Sequence, residues 1–344
     1  MRDRVGVMIK YRYRKINIYR IVLLVALVVG SCFILIRKSK LHYYENSGKI
    51  FGTVYHIKYE SERDLHDSIL SELNDVDASL SVFNDSSIIS KVNRNEDVAL
   101  NKDFREVFLL SQQVSLATEG AFDITVAPLV NVWGFGFKHS SSVSKNKIDS
   151  IRSIVGYEKV SIENGIINKQ NPLVMLDCSA IAKGYGVDKI ARMFERVGIK
   201  NYMIEIGGEV AVRGYNDLHK LWKIGIEKPV DNKNVTADLQ TVLPITNCAL
   251  ATSGNYRNFY YKDGKKFAHT IDPKTGYPVQ HSLLSASVIA PTCAEADAYA
   301  TAFMVMGVEK SKQLLSKKKT LKAYLIYADS LGRYKVWTNI RDLK

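Results

Sequence analysis

The sequence predicts an α+β fold behind a membrane-targeting N-terminus, and three observations carry that prediction. Apolar residues recur at helical spacing in some segments and alternate as in strands in others. The two kinds are interspersed without the strand–helix–strand rhythm of a parallel sheet. One uncharged apolar run lies near the start, between cationic flanks. At 344 residues the chain can bury a substantial core. No internal repeat or long low-complexity linker divides it, so one domain is expected over residues 41–344, after a targeting segment at 1–40.

The targeting segment reads "YRIVLLVALVVGSCFILIRKSK", with no charge from Ile21 to Ile36. A core helix does not begin and end in dense cationic clusters, so the run reads as a signal peptide or short signal anchor. The heavier positive flank precedes it, which keeps residue 1 inside and exports the body. Val29-Gly30-Ser31-Cys32 has the form of a bacterial lipobox with Cys32 as the lipidated residue, whereas Phe33 to Ile36 continue the run as an uncleaved anchor would. Either way the body is tethered to the cytoplasmic membrane from outside. Residues 1–40 carry ten Lys and Arg against Asp3, a net +9 of the formal +13, and leave only +4 for the rest. A nucleic-acid partner is therefore not expected.

Along the body, "IFGTVYHIKYE" alternates as a strand. Leu65, Ile69, Leu73, Val76 and Leu80 share one helical face, and a second helix is expected from Asp103 to Leu116. "KVSIENGIINK" is a hairpin turning at Asn164-Gly165. A third helix is expected from about Ser179 to Val197. Strands follow around Tyr202 to Val212, Trp222 to Glu227 and Ala286 to Ala290. A helix containing Asp297 comes next, and a final hairpin over Ala323–Thr338 turns near Ser330–Gly332. Cys178, Cys248 and Cys293 sit among small or apolar neighbours at no metal-ligand spacing, and read as small buried hydrophobes.

Polar islands interrupt this scaffold. "EGAFDITVAPLVNVWGFG" places an Asp and aromatics in a Gly-bounded loop, and "LDCSAIAKGYGVDKIA" puts an Asp and a Lys around a helix start. "EIGGEV" has a Gly-Gly where a ligand or backbone can approach closely. "ALATSGNYRNFY" ends a strand in donors, and "AHTIDPKTGYPV" is a turn bearing His, Asp and Lys. In "CAEADAYATAF", alanines permit close packing, and Asp297 and Thr301 lie one turn apart on one face. That pair either holds a hard cation or satisfies itself.

In order, the blocks "FGTVYHI", "SVFNDSSIISKVN", "GAFDITVAPLVNVWGFG", "LDCSAIAKGYGVDKIA", "IGGEVAVRG", "ATSGNYRN", "HTIDPKTGYPV" and "EADAYATAFMVMG" closely resemble the ApbE family, the FAD:protein FMN transferases, from about residue 51 to residue 307. Departures are small: Phe51 stands where the family often has Met, Cys178 where Leu or a Ser-like residue is common, and Asn255 where Asp is frequent.

The resemblance implies cleavage of the FAD pyrophosphate and transfer of FMN, by a phosphoester, to a Thr or Ser of an acceptor protein, with release of AMP. It implies Mg²⁺, which takes oxygen ligands and shares its shell with phosphates. Asp297, Thr301 and the backbone carbonyl of Ala180 would hold the ion. Phe51, Phe83, Ala121, Phe122, Asp123, Asp177, Lys183 and Ile271 would contact FAD, with Lys183 on a phosphate or an adenine edge. His269 would serve as base for the acceptor hydroxyl or as a flavin-orienting ring. The same residues also serve a Mg²⁺-dependent FAD pyrophosphatase that gives FMN and AMP. A non-catalytic, surface-tethered flavin-binding protein is the third reading, disfavoured by the presence of Asp297, Thr301 and His269.

Overall fold

The computed structural model describes residues 19–29, 41–135, 143–229, 238–255, 259–262 and 265–341. The chain divides into two units, residues 1–42 with 61–63, and a body of 43–60 with 64–344. In the first unit, residues 19–29 form helix α1, with Ile21, Leu23 and Leu24 exposed. Among the described residues no helix is long and apolar enough to cross a membrane. Cys32 and the rest of the apolar run to Ile36 lie outside the described residues.

The body runs β1 (His42–Ile50), β2 (Thr53–Ser61), α2 (His66–Leu80), α3 (Ile88–Asn93), α4 (Lys102–Ala117), α5 (Ala127–Val132), α6 (Lys145–Arg152), β3 (Val160–Glu163), β4 (Ile166–Lys169) and α7 (Ala182–Arg196). It continues with β5 (Tyr202–Ile206), β6 (Glu209–Arg213), β7 (Trp222–Glu227), β8 (Leu239–Ile245), β9 (Cys248–Gly254), β10 (Phe259–Lys262), β11 (Lys265–Ala268), β12 (Leu283–Ala290), α8 (Cys293–Lys317), β13 (Lys322–Ala328) and β14 (Tyr334–Thr338). Eight strands form one sheet in the order β1-β2-β5-β6-β9-β12-β13-β14, and β3-β4, β7-β8 and β10-β11 are separate two-stranded ribbons. The α+β expectation holds.

Period-2 alternation sends successive residues to opposite faces of the sheet. Tyr55, Ile57 and Tyr59 of β2, with Ile204 and Ile206 of β5, join Ile69 and Leu73 of α2 and Val187, Ile190 and Phe194 of α7 in one apolar cluster. Farther along, Ala251, Ala286 and Val288 pack with Tyr299 and Phe303 of α8. On the other face Val210, Val212 and Ile326 pack with Trp222, Ile224 and Ile226 of β7. Helices thus cover one face and a β-ribbon part of the other, so the central strands are buried twice over.

Three expectations shift in detail. "IFGTVYHIKYE" is not one strand, because the chain turns at Phe51 (φ 51°) and Gly52 (φ 72°) between β1 and β2. A two-residue turn preserves the alternation on both sides, so the pattern hides it. Gly207 (φ 63°) and Gly208 (φ 102°) likewise split Tyr202–Val212 into the β5–β6 hairpin. Helix α7 begins at Ala182, not Ser179, since Asp177 Oδ1 accepts from the Ser179 N–H (2.8 Å) in a turn that precedes it. The hairpin at Asn164-Gly165 and the final hairpin over Ala323–Thr338 form as expected. The three body cysteines are free thiols, with Cys178 and Cys293 buried.

Candidate active site

The helix α8 is held at its first turn from two sides. Thr292 caps it, its Oγ1 accepting from the Glu295 N–H. The buried carboxylate of Asp188 on α7 accepts from the N–H groups of Cys293 (2.7 Å) and Ala294 (2.8 Å), satisfying two donors that a helix start leaves open. Close approach of α7 is possible because residue 184 is Gly: a Cβ there would lie 2.4 Å from the Cys293 carbonyl oxygen. One turn into α8, Asp297 is therefore fixed beside the start of α7. Its Oδ2 accepts from the Gly184 N–H (3.1 Å) and lies 4.0 Å from Lys183 Nζ.

The β5–β6 turn supplies the third partner. Glu209, 4% exposed, sets Oε1 3.3 Å from Lys183 Nζ. Among the described residues its Oε2 has no hydrogen-bond partner. Two buried carboxylates thus share one ammonium. Burial raises the pKa of Asp297, with Lys183 and the Gly184 N–H opposing it. Burial also raises that of Glu209, to about 8, against the attraction of Lys183. For Lys183 burial acts to lower the value, but the carboxylates of Asp297 and Glu209 outweigh it and the net direction is up. The trio carries one negative charge too many, which a proton or a cation can neutralise.

These groups stand in a cleft of about 1070 Å³. Asp297, Thr301 and Val305, one turn apart in succession, give it one wall, and Ala180 and Lys183 another. Gly207, Gly208 and Glu209 bring backbone and carboxylate to it, and Thr252, Ser253 and Gly254 end β9 there. The loop of Ala121–Phe135 closes a further side, tied down where Trp133 Nε1 donates to the Gly276 carbonyl (2.8 Å). Thr270 Oγ1 donates to Asn255 Oδ1 (2.6 Å), a contact that needs only an acceptor oxygen, so Asn serves at 255.

Of the residues expected to matter, Phe83, Ala121, Phe122, Asp123, Asp177, Ala180, Lys183, His269, Ile271, Asp297 and Thr301 all line this cleft. Phe51 does not. It is half-buried, and a Cβ on Gly186 would meet its ring at 2.8 Å, so Phe51 backs α7 as a packing residue because its turn aims the ring inward. Phe83 stands 78% exposed at the rim, while Phe122 is 1% exposed and mostly core. Asp123 has both oxygens engaged. Oδ1 accepts from the Thr125 N–H and Oγ1 (2.7 Å each), and Oδ2 from the Tyr157 N–H (2.9 Å). Burial lifts its pKa to about 6 against those bonds. The His269 ring lies 6.4 Å from that of Phe135, edge to face. Glu209 was absent from the expected set. Its signal is an acid opening the run Glu209-Val210-Ala211-Val212, all buried.

Among the described residues no cluster of three His, Cys, Asp or Glu side chains is poised for a metal. The donor set at hand is different in kind: one carboxylate, one hydroxyl and one carbonyl, all hard oxygens that suit Mg²⁺. Beside them two buried carboxylates face one ammonium, so the local charge excess is negative.

The site is thus a cleft in an α+β body, with a lysine between two buried carboxylates and Phe83 exposed at its rim. The family model of the ApbE family matches residues 51–325, and the chain belongs to that family. It is similar to the FAD:protein FMN transferase of Haemophilus influenzae, 37% identical over 83% of this chain and 87% of that one. Similarity to the Escherichia coli K12 FAD:protein FMN transferase is 34% identity over 84% of this chain and 85% of the other. Among solved structures, the flavin transferase ApbE from Vibrio cholerae superposes with a TM-score of 0.78 at 33% identity, covering 87% of this chain and 97% of that one.

Proposed function

We propose that this chain is a Mg²⁺-dependent FAD:protein FMN transferase that joins the FMN moiety of FAD to a Thr or Ser of an acceptor protein and releases AMP. Membership of the ApbE family and the names of the curated relatives support the activity. The observation that carries the finer reading is the buried trio of Asp297, Lys183 and Glu209, with its unbalanced negative charge, in the cleft that Thr301 and Ala180 also line. Lys183 meets the pyrophosphate, and the Gly207-Gly208 backbone admits it closely. Asp297, the Thr301 hydroxyl and the Ala180 carbonyl would hold Mg²⁺, which when bound neutralises charge that builds on phosphoryl oxygens as the bridge breaks. His269 takes the acceptor proton. The acceptor oxygen forms the new P–O bond, the bridging P–O bond breaks, and AMP leaves. Phe83 and the Ala121–Asp123 loop border the flavin.

The test is transfer itself. Incubation with FAD, Mg²⁺ and a candidate acceptor should add the mass of FMN to the acceptor, with AMP formed in step. FMN in place of FAD should give no covalent flavin, because it lacks the AMP leaving group; labelling from FMN alone would overturn the reaction. AMP in excess of labelled acceptor would instead mark the competing FAD pyrophosphatase activity, in which water replaces the acceptor hydroxyl.

The same reading includes location: the body works outside the cytoplasmic membrane, tethered by the N-terminal segment. The support is the uncharged run Ile21–Ile36 between cationic flanks. A cytoplasm-dependent reporter fused after Lys344 should be inactive, and an active one ends this topology. Cys32→Ser should block lipid labelling if lipidation is the tether and leave membrane association unchanged if the uncleaved helix is.

A further inference from the structure

Glu209 is the buried ionisable group at the cleft that the transfer chemistry leaves unassigned. It is 4% exposed, one oxygen faces Lys183 at 3.3 Å, and the other has no hydrogen-bond partner among the described residues. A buried acceptor of this kind is costly to leave unmet, and this one borders the substrate cleft. A phosphate is the wrong occupant, since it is an anion. What suits a carboxylate oxygen is a hydroxyl or N–H donor of the substrate.

Position selects between those donors. Lys183 Nζ stands between Glu209 and Asp297, at 3.3 and 4.0 Å, so Glu209 is one hydrogen-bonding step from the group that meets the pyrophosphate. The ring donors of FAD, the flavin imide and the adenine amine, lie at the two ends of the molecule. Its sugar hydroxyls flank the pyrophosphate directly. An acidic side chain that grips a ribose hydroxyl beside a bound pyrophosphate is an established way to recognise a dinucleotide. Resting on the FAD reading of this cleft, we propose that Glu209 is a specificity-determining residue whose free carboxylate oxygen accepts a hydrogen bond from a polyol hydroxyl next to the pyrophosphate, on the adenosine ribose or the flavin ribityl chain. The turn that precedes it explains its place: Gly207 and Gly208 carry positive φ, and a Cβ on Gly207 would crowd Thr53 at 2.9 Å and the Lys183 stem at 3.3 Å. The turn brings β6, and Glu209 with it, against Lys183.

Equilibrium binding followed by flavin fluorescence tests this, at pH 9 so that Glu209, lifted to about 8 by burial, is ionised, and with EDTA present so that no turnover occurs. The probes are FAD, FAD with 2′- or 3′-deoxyadenosine, and FAD lacking single ribityl hydroxyls. Wild type should bind FAD and lose about tenfold or more in affinity for the analogue missing the contacted hydroxyl, the scale of a hydrogen bond to a charged group. Which analogue is penalised identifies the ribose or the ribityl chain. Glu209→Leu should bind FAD and that analogue alike, whereas Glu209→Gln, which keeps an oxygen acceptor, should retain part of the discrimination; a thermal melt checks that each is folded. Wild type that binds every analogue as well as FAD overturns the proposal, as does Glu209→Leu that still discriminates. Wild type that does not bind FAD overturns the function proposed above, and this with it.

Discussion

Asp297→Asn is expected to lower the rate of FMN transfer by roughly two orders of magnitude or more, the several kcal/mol that a metal contributes to a transferring phosphoryl group. Asn keeps the shape and one acceptor oxygen, so the Gly184 N–H that bonds Oδ2 at 3.1 Å retains a partner and the fold should survive. What disappears is the charge that attracts the cation. Raising Mg²⁺ should recover part of the rate, since a weakened site refills by mass action. Thr301→Val keeps shape and loses the hydroxyl one turn on, and should show a milder form of the same Mg²⁺ dependence. A purely structural Asp297 predicts a different pattern: a lower melting temperature with normal turnover in the folded molecules. Turnover per folded molecule across a Mg²⁺ titration, beside a thermal melt, separates them. A folded Asp297→Asn protein with wild-type turnover and an unchanged Mg²⁺ requirement would end the metal-ligand assignment.

Much of this architecture is legible from periodicity where one face is buried and the other wet. Helix α2 follows from Leu65, Ile69, Leu73, Val76 and Leu80, all buried at 5% exposure or less, and β3–β4 from an Asn-Gly turn with φ of 50° and 85°. Turns that leave the pattern intact are not legible. Phe51-Gly52 lies inside an unbroken alternation, and Phe is an unusual residue to hold positive φ. The ribbon strand β8 and the β10–β11 pair went unread, since their short segments carry no strong period. At the site, the polar islands contain ten of the eleven expected residues that line one cleft, Phe83 being the exception, because loops that meet at a site interrupt periodic elements. Glu209 lies inside the "EIGGEV" island, yet the pattern there points only to its Gly-Gly. It lies within a strand, where an acid ordinarily faces solvent, and only the packing of β6 against α7 turns it into a buried neighbour of Lys183.

Gly184→Ala is expected to be strongly destabilising, with a lower melting temperature and a loss of transfer activity in what remains folded. On propensity alone the change should stabilise α7 by roughly 0.5–1 kcal/mol, because Gly is a poor residue inside a helix. Contact reverses the sign. The added methyl would lie 2.4 Å from the Cys293 oxygen, 2.7 Å from its carbonyl carbon and 2.9 Å from the Ala294 Cα, all of them backbone. That backbone cannot move aside cheaply, since the Asp188 carboxylate pins the N–H groups of both residues. Overpacking a filled interior costs about 1–3 kcal/mol or more, enough to outweigh the propensity gain. Relief requires α7 and the first turn of α8 to part, and Asp297 leaves Lys183 and the Gly184 N–H as they do. Gly186→Ala is the informative comparison. Its methyl would meet a side chain, the Phe51 ring at 2.8 Å, which can tilt, so stability should fall less and the Mg²⁺ requirement should stay near wild type. For Gly184→Ala that requirement should rise along with the loss of stability. A Gly184→Ala protein as stable as wild type or more so, with unchanged turnover, would show that the two helices do not need this contact to set the site.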